Sequence, residues 1–137
     1  MARVENFASA MLGCREAELK KAIASKPVVA IVVTQEGCGH CHDQKAALAT
    51  ATSGRRDVRV LEISCDDDAC AKLTAKFAAT PTTQVYAGGK LVKTIEGSRT
   101  SSEMRTVLSG ASSSVKNGAA CKVGGSAKDR LACMTKN

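Results

Sequence analysis

Cys38 and Cys41 stand two residues apart in the run Glu36-Gly37-Cys38-Gly39-His40-Cys41-His42. A C-x-x-C pair supports three chemistries. It can be a dithiol–disulfide couple, half of a tetrahedral zinc or copper site, or, because His42 follows the second cysteine, an anchor for c-type haem. A structural metal site needs four ligands, and no second C-x-x-C supplies the missing pair. Haem attachment would make His42 an axial ligand, usually within a helical fold. What surrounds the motif has to decide.

The run Val28-Val29-Ala30-Ile31-Val32-Val33 leads into the motif. It is short, wholly apolar and rich in β-branched residues, which predicts a central strand buried on both faces. From Cys41 to Thr52 the chain is rich in Ala and other helix formers, and Ser53-Gly54 ends the pattern. The cysteine pair is therefore expected at the N-terminus of a helix that follows a buried strand. Upstream, residues 14–25 place Leu19, Ala22 and Ile23 at helical spacing, and Pro27 closes that helix. A short strand is expected near Val4 to Phe7. Residues 58–64 (VRVLEIS) alternate as a second main strand, and Asp66, Asp67 and Asp68 cap a helix expected to run to about Ala78. Two successive β-α units predict parallel pairing. The segments TTQVYA and KLVKTIE flank Gly88-Gly89, a two-residue loop suited to an antiparallel hairpin. A closing helix is expected from Ser101 to Leu108, capped by Ser101 or Ser102, with Val107 and Leu108 facing the sheet. A strand before the motif and a hairpin after it speak against the haem reading.

A buried strand running into Cys38-Gly39-His40-Cys41 at a helix start, Thr80-Pro81-Thr82, the Gly-Gly hairpin and Gly97 before the last helix together resemble the thioredoxin superfamily over roughly residues 14–109. The resemblance implies an α/β thioredoxin fold, a central mixed sheet flanked by helices, and thiol–disulfide oxidoreductase activity that needs no cofactor. The inner Gly39-His40 dipeptide is similar to that of protein disulfide isomerase. In such proteins Pro81 is cis and packs against the cysteine pair, and the backbone at Thr80 pairs with an extended substrate segment. Cys38 would be the nucleophile and Cys41 the resolving thiol, with His40 adding positive character beside the Cys38 sulfur. Thioredoxin and protein disulfide isomerase differ by about 90 mV, roughly 4 kcal/mol for two electrons. The Gly-His signal thus implies an oxidant or isomerase poise. Partners would be protein disulfides or dithiols, with glutathione or a redox protein exchanging electrons.

The chain departs from the family pattern at two places. Six residues before the first cysteine, where a buried acidic residue is typical, stands Val32, and the usual Trp before the motif is Gly37. Slower resolution and less selective packing follow as expectations. Glu36 and His42 are the candidates to replace the missing carboxylate.

Seven cysteines leave at least one thiol without a partner in the monomer. Cys65 and Cys70, flanking Asp66 to Ala69, either close a small disulfide or are ordinary small side chains. Cys121 and Cys133 are candidates for a staple in the tail. Cys14 is then the leftover thiol, buried or dimer-forming.

At 137 residues the chain is long enough to bury one aliphatic core. Its aromatic residues are Phe7, Phe77 and Tyr86, so Val, Ile, Leu and Ala must build that core. We read residues 1–109 as the folded domain and 110–137 as a basic tail of Gly, Ser, Ala and Lys. The tail holds +4 of the formal net charge of +7. It is either a solubilising segment or a contact for nucleic acid, a membrane surface or an acidic partner. No aromatic residue interleaves its lysines as a stacking platform would require. The N-terminal residues carry Glu5 early and no apolar core of a secretory signal, and no apolar run approaches membrane-spanning length. A cytoplasmic or virion location is expected, where a protein that makes disulfides during assembly would act. The rival reading is a redox-inactive structural or virion protein of the same fold whose basic tail binds nucleic acid or an acidic partner.

Overall fold

A computed structural model describes the backbone of residues 4–123 and the side chains of residues 4–115. Five strands form one sheet: β1 (Val4–Asn6), β2 (Val28–Thr34), β3 (Val58–Ser64), β4 (Thr82–Ala87) and β5 (Lys90–Glu96), in the order β1-β3-β2-β4-β5. β1 and β2 both pair parallel with β3, whereas β4 runs antiparallel to β2 and to β5. The helices are α1 (Phe7–Ala10), α2 (Glu16–Ala24), α3 (Gly39–Ala51), α4 (Ala71–Thr74) and α5 (Ser101–Val123), with a 3-10 turn over Asp68–Cys70 leading into α4.

β2 is buried at every position, as its unbroken apolar run requires. Its alternate side chains feed two cores. Val28, Ala30 and Val32 meet Val58 and Val60 of β3, Leu48 of α3, and Met104 and Leu108 of α5. Val29 and Ile31 meet Leu61 and Ile63, with Phe7, Leu19 and Leu73 above them. The result is a sheet covered on both faces, the layered arrangement that a strand apolar on both sides demands. β5, by contrast, buries only Ile95 and exposes Lys90 and Lys93 along its edge, and such charges discourage pairing with another sheet.

Three features of two helices differ from the sequence reading. The helix expected to run to Ala78 ends at Thr74. The Thr74 hydroxyl donates back to the carbonyls of Cys70 and Ala71, a local bond that competes with helical continuation. The closing helix begins one residue earlier in its capping: Thr100 Oγ1 accepts from the Glu103 N–H and the Glu103 carboxylate accepts from the Thr100 N–H, a reciprocal capping box in place of a Ser101 or Ser102 cap. These bonds hold the Glu103 carboxyl below its usual range. α5 also runs past Leu108 to Val123. Gly110 and Ser112 to Ser114 are weak helix formers, but Ala111 is buried in the core and Val115 packs against it. Tertiary burial outweighs propensity there. Ser112 Oγ further donates to Asp57 at 2.7 Å, and Arg55 forms a forked pair with that carboxylate at 2.8 and 3.1 Å. The Arg55 guanidinium, first of all, pushes the Asp57 carboxyl well below its usual range.

Candidate functional site

β2 ends at the buried Thr34, the exposed Gln35 and Glu36 carry the chain to the surface, and Gly37 turns it into α3. Gly37 has φ +77°, a backbone conformation that side chains with a Cβ rarely adopt, which gives a local reason for glycine at this position. Cys38 then occupies the N-cap of α3. Its Sγ accepts the Cys41 N–H at 3.1 Å and is bonded to Cys41 Sγ in a disulfide. The two cysteines differ in access. Cys38 is partly exposed, while Cys41, on the inner face of the first turn, is buried. Gly39, His40 and His42 are exposed.

The opposite wall comes from the turn before β4. The Thr80-Pro81 peptide bond is cis, Pro81 is buried, and the Thr80 carbonyl lies 3.9 Å from Cys38 Sγ. Gln35 and Thr80 side chains meet at 3.3 Å and join this turn to the segment before the motif. Thus Cys38, Cys41, Thr80 and Pro81, chosen from the sequence, come together at one end of the sheet.

A cleft of about 380 Å³ opens beside the disulfide. Its lining includes Glu36, Cys38, Cys41, His42 and Lys45, with Glu62 and Asp66. Glu36 and His42, the proposed substitutes for a buried carboxylate, both reach this cleft but are exposed to solvent. The Glu36 N–H donates to the Asp66 carboxylate, tying the loop before the motif to the loop after β3. Val32 is fully buried, so the position of the family's acidic residue is apolar here.

Glu62 was not singled out in the sequence, although a signal was present. In β3, Val58 and Val60 face α3, and alternation puts Glu62 on that same core-facing side. Its side chain is only 19% exposed, pairs with Lys45 Nζ at 3.2 Å and accepts from the Thr34 hydroxyl.

The remaining cysteines are arranged differently from expectation. Cys70 is bonded to Cys14, not to Cys65, across 56 residues. The 3-10 turn swings Cys70 into the core beneath α1 and α2, whereas Cys65 stays at the end of β3 with its N–H bonded to the Thr34 carbonyl. Cys65, not Cys14, is the free thiol among the described residues. Burial, with the nearby Asp66 charge adding to it, pushes its pKa up. The expected Cys121–Cys133 staple lies outside the described residues.

A helix-capping disulfide facing a cis-proline turn, on a sheet with this strand order, defines the class of thioredoxin-fold dithiol proteins. The comparisons agree: the thioredoxin family model matches residues 10–110, and the chain belongs to that family. A mutant thioredoxin of Halobacterium salinarum superposes with a TM-score of 0.64 at 16% identity, covering 81% of this chain and 91% of that one. Thioredoxin O2 of Arabidopsis thaliana in the oxidised state gives 0.62 at 19% identity, covering 80% and 91%. Trxlp of Edwardsiella tarda gives 0.59 at 23% identity, covering 70% and 95%. No curated protein sequence matches the chain. At the level of class the protein is a thiol–disulfide oxidoreductase whose partners are protein disulfides and their redox proteins. No helix among the described residues is long and apolar enough to cross a membrane.

Proposed function

We propose that the Cys38–Cys41 couple works as an oxidant or isomerase of protein disulfides, with Cys38 attacking and Cys41 resolving. The observation that carries this reading is the position of Cys38 Sγ as the N-cap acceptor of α3, 3.1 Å from the Cys41 N–H. In the reduced protein the same amide and the positive end of the helix dipole stabilise a Cys38 thiolate. A stabilised thiolate is a good leaving group, and stabilising the reduced form makes the disulfide more oxidising. His40, exposed on the first turn, adds positive charge beside that sulfur when protonated. The substrate strand would lie along the Thr80 backbone, whose carbonyl faces Cys38.

Equilibration with glutathione buffers tests the poise. A potential near about −180 mV is expected for an isomerase-like couple, and a value near about −270 mV would make the protein a thioredoxin-like reductant instead. A couple that fails to exchange with glutathione or with a protein disulfide would favour the redox-inactive binding reading. The basic tail as a contact for nucleic acid or an acidic partner is a separate proposal, resting on its charge of +4. Replacing Lys116, Lys122, Lys128, Arg130 and Lys136 by Gln, which leaves Ala111, Ser112 and Val115 in place, should abolish a salt-steep affinity for nucleic acid, and unchanged binding would leave the tail with a solubilising role.

A further inference from the structure

We propose that Glu62 is the proton acceptor that activates the Cys41 thiol, so that a carboxylate on β3 does the work that Val32 on β2 cannot. The inference rests on the reading of Cys38 as attacking and Cys41 as resolving thiol.

Three observations converge on Glu62. First, β2 and β3 are parallel and in register with Val32 beside Glu62, so neighbouring side chains on the two strands share the face covered by α3. A carboxylate missing from one strand is thereby replaced from the adjacent one. Second, Lys45 lies four residues after Cys41 on α3, hence on the same side of that helix, and its ammonium holds Glu62 at 3.2 Å. The Thr34 hydroxyl, at the end of β2, donates to the same carboxylate. Glu62 is thus held under the first turns of α3. Third, Glu62 and Cys41 line one cleft that opens to solvent.

The other charged groups facing this cleft are less suited. Glu36 and His42 are exposed, and Asp66 is exposed and engaged with the Glu36 N–H. Lys45 carries no basic site while protonated, and Val32 offers none.

The step balances without a further reactant. In the mixed disulfide, the Glu62 carboxylate takes the Cys41 Sγ proton, directly or through one water in the cleft. The Cys41 thiolate attacks Cys38 Sγ, a Cys38–Cys41 bond forms, and the bond from Cys38 to the substrate sulfur breaks. The electron pair leaves with the substrate sulfur, which is reduced and takes a proton from solvent. In the reverse direction Glu62 returns its proton to Cys41 as the substrate is oxidised.

The experiment reads attack and resolution separately. Protein with Cys65, Cys121 and Cys133 replaced by Ser and with Cys38–Cys41 reduced is mixed with an aromatic disulfide whose released thiolate absorbs in the visible. The first release reports Cys38 attack and the second reports resolution by Cys41. In Glu62→Gln the second phase should slow by about 10- to 100-fold below the ordinary thiol pKa of about 8.5 and recover above it, where Cys41 ionises unaided. The first phase should be unchanged, and Glu62→Asp should restore part of the second. Lys45→Met offers a route that does not remove the carboxylate: without the ion pair at 3.2 Å the Glu62 side chain is no longer held beneath α3, so the second phase should slow while the first is unchanged. Equal second phases in wild type and Glu62→Gln, a slowing that persists unchanged at high pH, or an unslowed second phase in Lys45→Met would overturn the proposal. Absence of the first phase in the wild type would instead overturn the oxidoreductase reading beneath it.

Discussion

The protein contains two disulfides whose chemistry is the same and whose surroundings are opposite. Cys38–Cys41 spans three residues, caps a helix at the mouth of a cleft, and has one sulfur partly exposed. Cys14–Cys70 spans 56 residues, and both of its cysteines are buried among Phe7, Leu19 and Leu73. Closing a three-residue loop removes little entropy from the unfolded chain, so the first pair gains little as a staple. Closing a long one removes much, and burial denies reductants access to it. Position, not cysteine content, separates the proposed working couple from the structural bond. Cys65 completes the lesson: a thiol close to the same cleft-side loops has its pKa lifted by burial and a nearby aspartate, which disfavours the reactive thiolate.

Exchanging single residues should separate the two roles cleanly. Cys38→Ser should lower disulfide-exchange activity by about a thousandfold or more, because the proposed nucleophile is lost. Its stability should change by no more than about 0.5 kcal/mol, since serine is itself a good N-cap. The reverse pattern is expected for Cys70→Ala: a loss of about 2–4 kcal/mol in urea denaturation, with exchange activity retained at temperatures where the chain stays folded. If instead Cys70→Ala abolished activity in the folded protein, the buried pair would belong to the reaction and the contrast would fail.

Smaller effects sharpen the same contrast. The Arg55–Asp57–Ser112 network joins the start of β3 to α5, away from both disulfides. Asp57→Asn should cost about 1 kcal/mol, since the pair is partly open to solvent. The sign with pH follows from the depressed Asp57 pKa. In the wild type this contribution is present above the ordinary carboxylate value of 3.8 and is lost as acid approaches the lower folded value. The difference between wild type and Asp57→Asn should therefore shrink on acidification, with activity at neutral pH unaffected.

Much of this arrangement was legible in the amino-acid sequence because its causes are local. The apolar β-branched run of β2, the alternation of β3, the Gly88-Gly89 loop and the C-x-x-C at a helix start each announce themselves within a few residues. The pairing of Cys14 with Cys70 does not, because it depends on how α1, α2 and the 3-10 turn stack over one face of the sheet. Nearness in sequence favoured Cys65 for Cys70, yet the turn points them apart. The continuation of α5 beyond Gly110 was hidden for a similar reason: Ser and Gly are poor helix formers, and only the core beneath Ala111 and Val115 compensates. Glu62 sits between these cases. Its place among core-facing positions of β3 was readable, but its closeness to the α3 helix and to Val32 follows from strand register.

The contrast between the two disulfides can be measured directly by incubating the oxidised protein over a graded series of glutathione and stronger thiol buffers. Alkylation of the free thiols and peptide mass analysis then give the fraction reduced at each pair. Cys38–Cys41 should open between about −180 and −270 mV, and Cys14–Cys70 should stay closed to below about −300 mV, as structural disulfides do. Opening of both pairs together, or of Cys14–Cys70 first, would contradict the assignment of one to chemistry and the other to the fold.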